Sequence, residues 1–148
     1  MISNIGPDQP HDFPNGQVGL RILVVEDDAD TADSMAILLR LYAHDVRVAR
    51  DGAAALGAVV EASPDVVLLD IGLPKLDGWQ LAKAIRHHSN GRRPFLIAMS
   101  GYGTPSDQAR SQEAGIDLHL VKPVEPEALR EVLRRFHTVI APSTEIAG

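Results

Sequence analysis

Cysteine is absent from all 148 residues, which excludes disulfides, thiolate metal sites and thiol nucleophiles and leaves any chemistry to oxygen and nitrogen groups. Basic charge is also short. Fourteen Lys and Arg stand against 20 Asp and Glu, a net charge of −6 with a pI near 5.4. A dedicated nucleic-acid binder needs a basic surface that releases counterions from phosphates, so direct DNA or RNA binding is not expected. Long apolar runs are missing too. No stretch approaches the ~20 residues of a membrane span, and MISNIGPDQPHDFPNGQVG at the start has neither a basic opening nor an apolar stretch of secretory length. A soluble, cytoplasmic protein is the expectation.

What is present is 45% hydrophobic residues, enough to build one sizeable core in a chain of 15.9 kDa. The segment VVLLDIGLP, Val66 to Pro74, is informative: an apolar run ends on an acid, Asp70, and then turns through Gly72 and Pro74. A short continuous apolar run bounded by turn residues reads as a strand buried on both faces, so its terminal carboxylate stands at the rim of a sheet. Ligands of open parallel sheets bind at that rim.

Residues 1–20 carry Pro7, Pro10 and Pro14 among several glycines and read as a flexible extension. From Arg21, short β-branched runs alternate with helical periodicity. RILVV (21–25) precedes Met35, Leu38, Leu39 and Tyr42, and DVRVA (45–49) precedes Leu56, Val59 and Val60. DVVLLD (65–70) precedes Leu81 and Ile85, and FLIAMS (95–100) leads to a helix starting near Pro105. LHLV (118–121) precedes a helix bearing Leu129, Val132, Leu133 and Phe136. Five such units predict an α/β fold over 21–137, a doubly wound parallel sheet of flavodoxin-like strand order 2-1-3-4-5 with helices on both faces. Residues 138–148 read as a loose tail.

Parallel strands place all their carboxyl ends on one edge. That edge collects Glu26 and Asp27 after the first strand, Asp70 ending the third, Ser100 ending the fourth and Lys122 after the fifth. Three carboxylates brought together without a counter-ion would cost several kcal/mol, so the group asks for a cation, and oxygen-only ligands suit Mg²⁺. Ser100 and Lys122 are suited to hold a phosphoryl group beside it.

These residues sit in VVEDD (24–28), LLDIGLPKLDG (68–78), MSGY (99–102) and LVKP (120–123), with Ser100 thirty and Lys122 fifty-two residues after Asp70. In motif and spacing the chain resembles the receiver domain of response regulators in two-component phosphotransfer signalling, from Arg21 to about Phe136. The resemblance implies that Asp70 accepts a phosphoryl group from a phosphohistidine on a histidine kinase or histidine phosphotransfer protein. It implies Asp27, Asp70 and the Gly72 carbonyl as Mg²⁺ ligands, with Glu26 acting through water. Lys122 would pair with the phosphoryl oxygen, Pro123 would follow it, often through a cis bond, and Ser100 would move toward the phosphoryl group as a switch. The face of the fourth helix, fifth strand and fifth helix would then shift for a downstream partner. Gly72 and Tyr102 occupy the two positions that tune hydrolysis.

Some positions depart from the family pattern. His119 replaces the usual aromatic switch residue. Leu118 and Val124 stand where DNA-binding relatives often carry an acid and a phenylalanine used in a dimer contact, which implies a monomer or weak dimer resembling stand-alone or hybrid-kinase receivers without an output domain. Asp28 and Asp30 read as residues serving the start of the first helix, and Trp79 as a packing residue. RHHSNGRR (86–93) reads as a solvated helix end in which the adjacent histidines do not face each other. A phosphorylation-controlled binding module, rather than a turnover enzyme, is the expectation. An aspartate-nucleophile phosphohydrolase of similar fold would want a second acid where Gly72 stands, and a flavin-binding fold would want hydroxyl-rich phosphate contacts where Glu26, Asp27, Asp28 and Asp30 stand.

Overall fold

The computed structural model describes residues 19–71, 77–88, 93–101 and 103–136. The expected extension up to residue 18, the expected tail from 138, and Gly72 and Tyr102, the two positions expected to tune hydrolysis, lie outside the described residues. Five strands and five helices alternate: β1 (Arg21–Val25), α1 (Ala29–Leu41), β2 (Asp45–Ala49), α2 (Gly52–Ala62), β3 (Val66–Asp70), α3 (Gly78–His88), β4 (Phe95–Ser100), α4 (Pro105–Glu113), β5 (Leu118–Val121) and α5 (Pro126–Arg135). The strands form one parallel sheet in the order β2-β1-β3-β4-β5, as the alternation predicts.

Side chains alternate across each strand, so β1, β3 and β4 each feed two cores. Leu23, Val25, Val67, Leu69, Leu96 and Ala98 face Ala55 and Val59 of α2 and Leu81, Ala82 and Ile85 of α3. Ile22, Val24, Val66, Leu68, Ile97 and Met99 face Ala36 and Leu39 of α1 and Leu129 and Leu133 of α5, with Phe136 beyond it. β3 is central and buried at all five positions, which is why its sequence is a continuous apolar run. Two core expectations are corrected. Leu20, read as part of the extension, is buried in the second core, and its amide donates to His44 Nδ1 at 3.2 Å. Val60, read as core-facing, is exposed, because the inward stripe of α2 runs through Ala55 and Val59 instead.

Helices α1 to α4 each start at a polar side chain that accepts from the first turn. Asp28 accepts from the Thr31 amide at 2.8 Å, Asp51 from Ala54 at 2.8 Å, Asp77 from Trp79 and Gln80 at 3.1 Å each, and Thr104 from Asp107 at 3.1 Å. Capping therefore accounts for Asp28 as expected, while Asp30 lies in the first turn of α1, where a carboxylate meets the helix dipole. Where α3 begins, a Cβ on Gly78 would stand 2.3 Å from Ile71 Cγ2 and 2.7 Å from Ile71 Cα, so this close return of the chain after Asp70 admits no side chain.

Helix α4 differs from the rest. PSDQARSQE contains no large apolar side chain, and Ser111 is its one buried residue.

Candidate functional site

Asp70 ends β3 with its side chain 1% exposed. Lys122, just past the end of β5, donates from Nζ to Asp70 Oδ2, and its backbone amide donates to the Ser100 carbonyl at 2.7 Å. That second bond ties the ends of β4 and β5 together and sets the lysine beside the acid. The Lys122–Pro123 peptide is cis, as the resemblance implied.

Glu26 follows β1 and is 3% exposed. Its amide donates to the Ala49 carbonyl at 3.1 Å, and its Oε2 accepts from the Asp28 amide at 3.1 Å. Burial pushes its carboxyl up to about 7, the hydrogen bond and negative charge of Asp70 add to the rise, and the Asp28 amide and Lys122 oppose it. Asp27 is half-buried, and its carbonyl accepts from Arg50 Nε at 3.1 Å and Nη2 at 2.9 Å, a clamp not anticipated from sequence.

Ser100 ends β4 and His119 lies on β5, opposite Ala98 in the register, so both stand on the sheet face that α3 covers. Ser100 Oγ is 2.8 Å from His119 Nε2, and His119 Nδ1 is 3.0 Å from Ser111 Oγ on α4. Ser111 Oγ also accepts from the Trp79 indole Nε1–H at 3.1 Å, while the Arg110 guanidinium lies 3.8 Å over the Trp79 ring. Trp79 packs against the first core as expected and in addition holds a polar partner. Ser111 and Arg110 were missed. The available signal was a helix with no apolar face, which must be held by polar contacts.

The structure therefore brings Asp70, Lys122 and Glu26 into contact and joins Ser100 to His119. Gly72, the expected carbonyl ligand, lies outside the described residues. Among the described residues no three His, Asp or Glu side chains cluster closely enough to hold an ion by themselves. The chemistry of the donor set fits Mg²⁺ nonetheless, because the buried carboxyls of Glu26 and Asp70 lie in contact and would offer a divalent cation oxygen ligands alone.

The segment 86–93 is corrected in part. His87 and His88 are exposed as expected, but their rings meet edge-on with centroids 5.0 Å apart. Arg86 is not solvated. It donates to the Gly115 carbonyl at 2.9 Å, the Pro94 carbonyl at 2.6 Å and Asp117 Oδ2 at 2.6 Å, joining α3 to the segments that enter β4 and β5, at the sheet edge away from Asp70. No described helix is long and apolar enough to cross a membrane.

The family model for the response regulator receiver domain matches residues 22–134. The transcriptional regulatory protein PrrA of Mycobacterium bovis is 40% identical over 108 residues, 73% of this chain and 46% of PrrA. The response regulator MprA of Mycolicibacterium vanbaalenii is 32% identical over 129 residues, 87% of this chain and 54% of MprA. The chain thus spans about half the length of the curated relatives it matches. Among solved structures, the chemotaxis protein CheY4 of Vibrio cholerae superposes with a TM-score of 0.74 at 26% identity, covering 79% of this chain and 98% of that one. The receiver domain of the sensor histidine kinase PA1611 from Pseudomonas aeruginosa, solved with a magnesium ion in its active site cleft, superposes at 0.70 with 32% identity, covering 79% and 96%. Fold, edge residues and family match agree, and the chain belongs to the receiver domains of two-component response regulators.

Proposed function

We propose that this receiver accepts a phosphoryl group on Asp70 from a phosphohistidine of a histidine kinase or phosphotransfer protein, and that the acyl phosphate changes which partner the domain binds. The observation that carries this reading is the buried Asp70 carboxylate in contact with the half-exposed Lys122 ammonium. An oxygen of Asp70 forms the new O–P bond as the P–N bond breaks, and the departing imidazole keeps the electrons of that bond. Transfer of this kind needs an in-line acceptor and neutralisation of charge on the equatorial oxygens, and little else. Lys122 supplies a cation on the side of Asp70 Oδ2, and Ser100 a hydroxyl from the end of β4. Mg²⁺, held by Asp70, Asp27 and Glu26 with the Gly72 carbonyl, would supply the remaining positive charge. The surface read by a partner is the one built from α4, β5 and α5. The domain acts once per phosphorylation, as a signalling module and not a turnover enzyme.

Acetyl phosphate and Mg²⁺ followed by intact-mass analysis test the reading. One added phosphate is expected in the wild type and none in Asp70→Asn. Full labelling of the Asn variant would move the phosphoacceptor elsewhere.

A further inference from the structure

The peptide between Asp27 and Asp28 is held at both of its polar atoms by side chains. Its carbonyl oxygen accepts two N–H groups of one guanidinium, Arg50 Nε at 3.1 Å and Nη2 at 2.9 Å, and its N–H donates to Glu26 Oε2 at 3.1 Å. The strand register places Arg50 for this. Val25 pairs with Ala49 across the β1–β2 ladder, and the Ala49 carbonyl accepts from the Glu26 amide at 3.1 Å, so the residues that follow the two strands stand side by side. The acids on either side of Asp27 are committed to the backbone. Glu26 holds the Asp28 amide, and Asp28 Oδ2 accepts from the Thr31 amide at 2.8 Å and from the Thr31 hydroxyl at 2.7 Å. Asp27 differs from both: among the described residues its carboxylate has no hydrogen bond or ion pair, although a guanidinium is bonded to the carbonyl of the same residue.

We infer that Arg50 is a positioning residue for the cation site: it fixes the peptide from which the Asp27 side chain departs and so keeps that carboxylate ready to take Mg²⁺. The inference rests on the reading of Asp27 as a Mg²⁺ ligand. Two effects of Arg50 oppose each other. Its positive charge repels an incoming cation, whereas a peptide plane that is already fixed removes part of the ordering cost of binding. Arg50 is exposed, so its repulsion acts through water and is screened by salt. The two hydrogen bonds are short-ranged and keep their geometry at any ionic strength. Positioning therefore outweighs repulsion, and removal of Arg50 weakens Mg²⁺ binding even though it removes a like charge. The fork matters as well as the charge. A guanidinium sets two N–H groups on one oxygen in a fixed plane, and a lysine ammonium at the same position does not reproduce that hold.

Calorimetric titration of the full chain with MgCl₂, paired with urea unfolding in Mg²⁺-free buffer, tests this. Arg50→Met and Arg50→Lys are both expected to raise the Kd for Mg²⁺ about tenfold, the low end of what loss of a bond behind a metal ligand costs. Their unfolding midpoints without Mg²⁺ should stay near wild type, and the ratio of Kd values should persist at about 1 M salt, where exposed charges are screened. Wild-type or tighter binding in Arg50→Met would overturn the inference. Wild-type affinity in Arg50→Lys would overturn it too, since charge and not the fork would then be what counts. Asp27→Ala, titrated alongside, separates the two readings: wild-type affinity in that variant would instead strike the ligand reading on which the inference rests. The clamp is also read in the wild type alone, whatever the stability of the variants. In ¹H–¹⁵N spectra without Mg²⁺ the Arg50 Nε–H should exchange slowly with water, and exchange as fast as that of a solvated arginine would overturn the clamp.

Discussion

Lys122 Nζ and Asp70 Oδ2 meet across 52 residues of sequence, and the two side chains differ sharply in exposure: 1% for the acid, 40% for the lysine. The acid is fixed in the central strand, whereas its cation reaches in from the rim. A phosphoryl group added to Asp70 can thus draw on a lysine that needs no passage through the core.

Removing the cation should cost more than removing the acid. Lys122→Met is expected to lower unfolding free energy by about 1–3 kcal/mol, the range for loss of a hydrogen-bonded partner to a buried charged group. Asp70→Asn should cost less, because the amide carries no charge into β3. The double variant should fall short of the sum of the singles. Urea denaturation measures all three, and strict additivity would show that the contact has no energetic weight.

Glu26 makes stability depend on pH. Folding raises its carboxyl from 4.5 to about 7, so the folded state keeps a proton that the unfolded state has released. Its contribution is present below about pH 4.5 and is lost as pH rises through about 7. The stability of Glu26→Gln relative to wild type should therefore improve between those limits and level off above them. Parallel wild-type and variant curves in Mg²⁺-free buffer would remove Glu26 from the account.

Magnesium should stabilise the fold, since a ligand bound only by the native state adds about 1 to 3 kcal/mol at ~10 to 100 times its Kd. Asp27→Ala should abolish that gain. Thermal melts with and without Mg²⁺ decide it, and an undiminished rise in Tm for the variant would place the ion elsewhere.

Gly78, at the start of α3, packs directly against Ile71, the residue after Asp70. A methyl there would press on Ile71 Cα and Cγ2, so Gly78→Ala is expected to destabilise by about 1–3 kcal/mol, as overpacking does. Acetyl phosphate labelling of Asp70 should slow in parallel. Wild-type stability would show that Ile71 gives way at no cost.

β1, β3 and β4 were legible from composition because burial on two faces demands continuous apolar residues, and β2 from its alternation of apolar and polar residues, both local properties. β1, β2, β4 and β5 have the predicted limits, and β3 begins one residue late because Asp65 accepts from the Arg21 amide at 2.8 Å before the ladder starts. Asp70, Ser100 and Lys122 could be placed on one edge for the same reason: parallel strands determine which end of each run faces the site. That helix positions 55 and 59, and not 60, point inward depended on how α2 settles against the sheet.

Sequence by itself determined the strand–helix alternation, the edge on which the acids and the lysine gather, and the Asp28 cap that starts α1, all set by neighbours a few residues apart. Tertiary structure alone decided that Glu26 keeps a proton near neutrality, that Arg50 holds the Asp27 carbonyl, and that His119 stands between Ser100 and Ser111 with Trp79 behind them. The hydrogen-bonded pairs of Arg50, His119 and Trp79 lie 8 to 32 residues apart in the chain. Desolvation and hydrogen-bond direction depend on what surrounds a group in space, and no period in the chain encodes that.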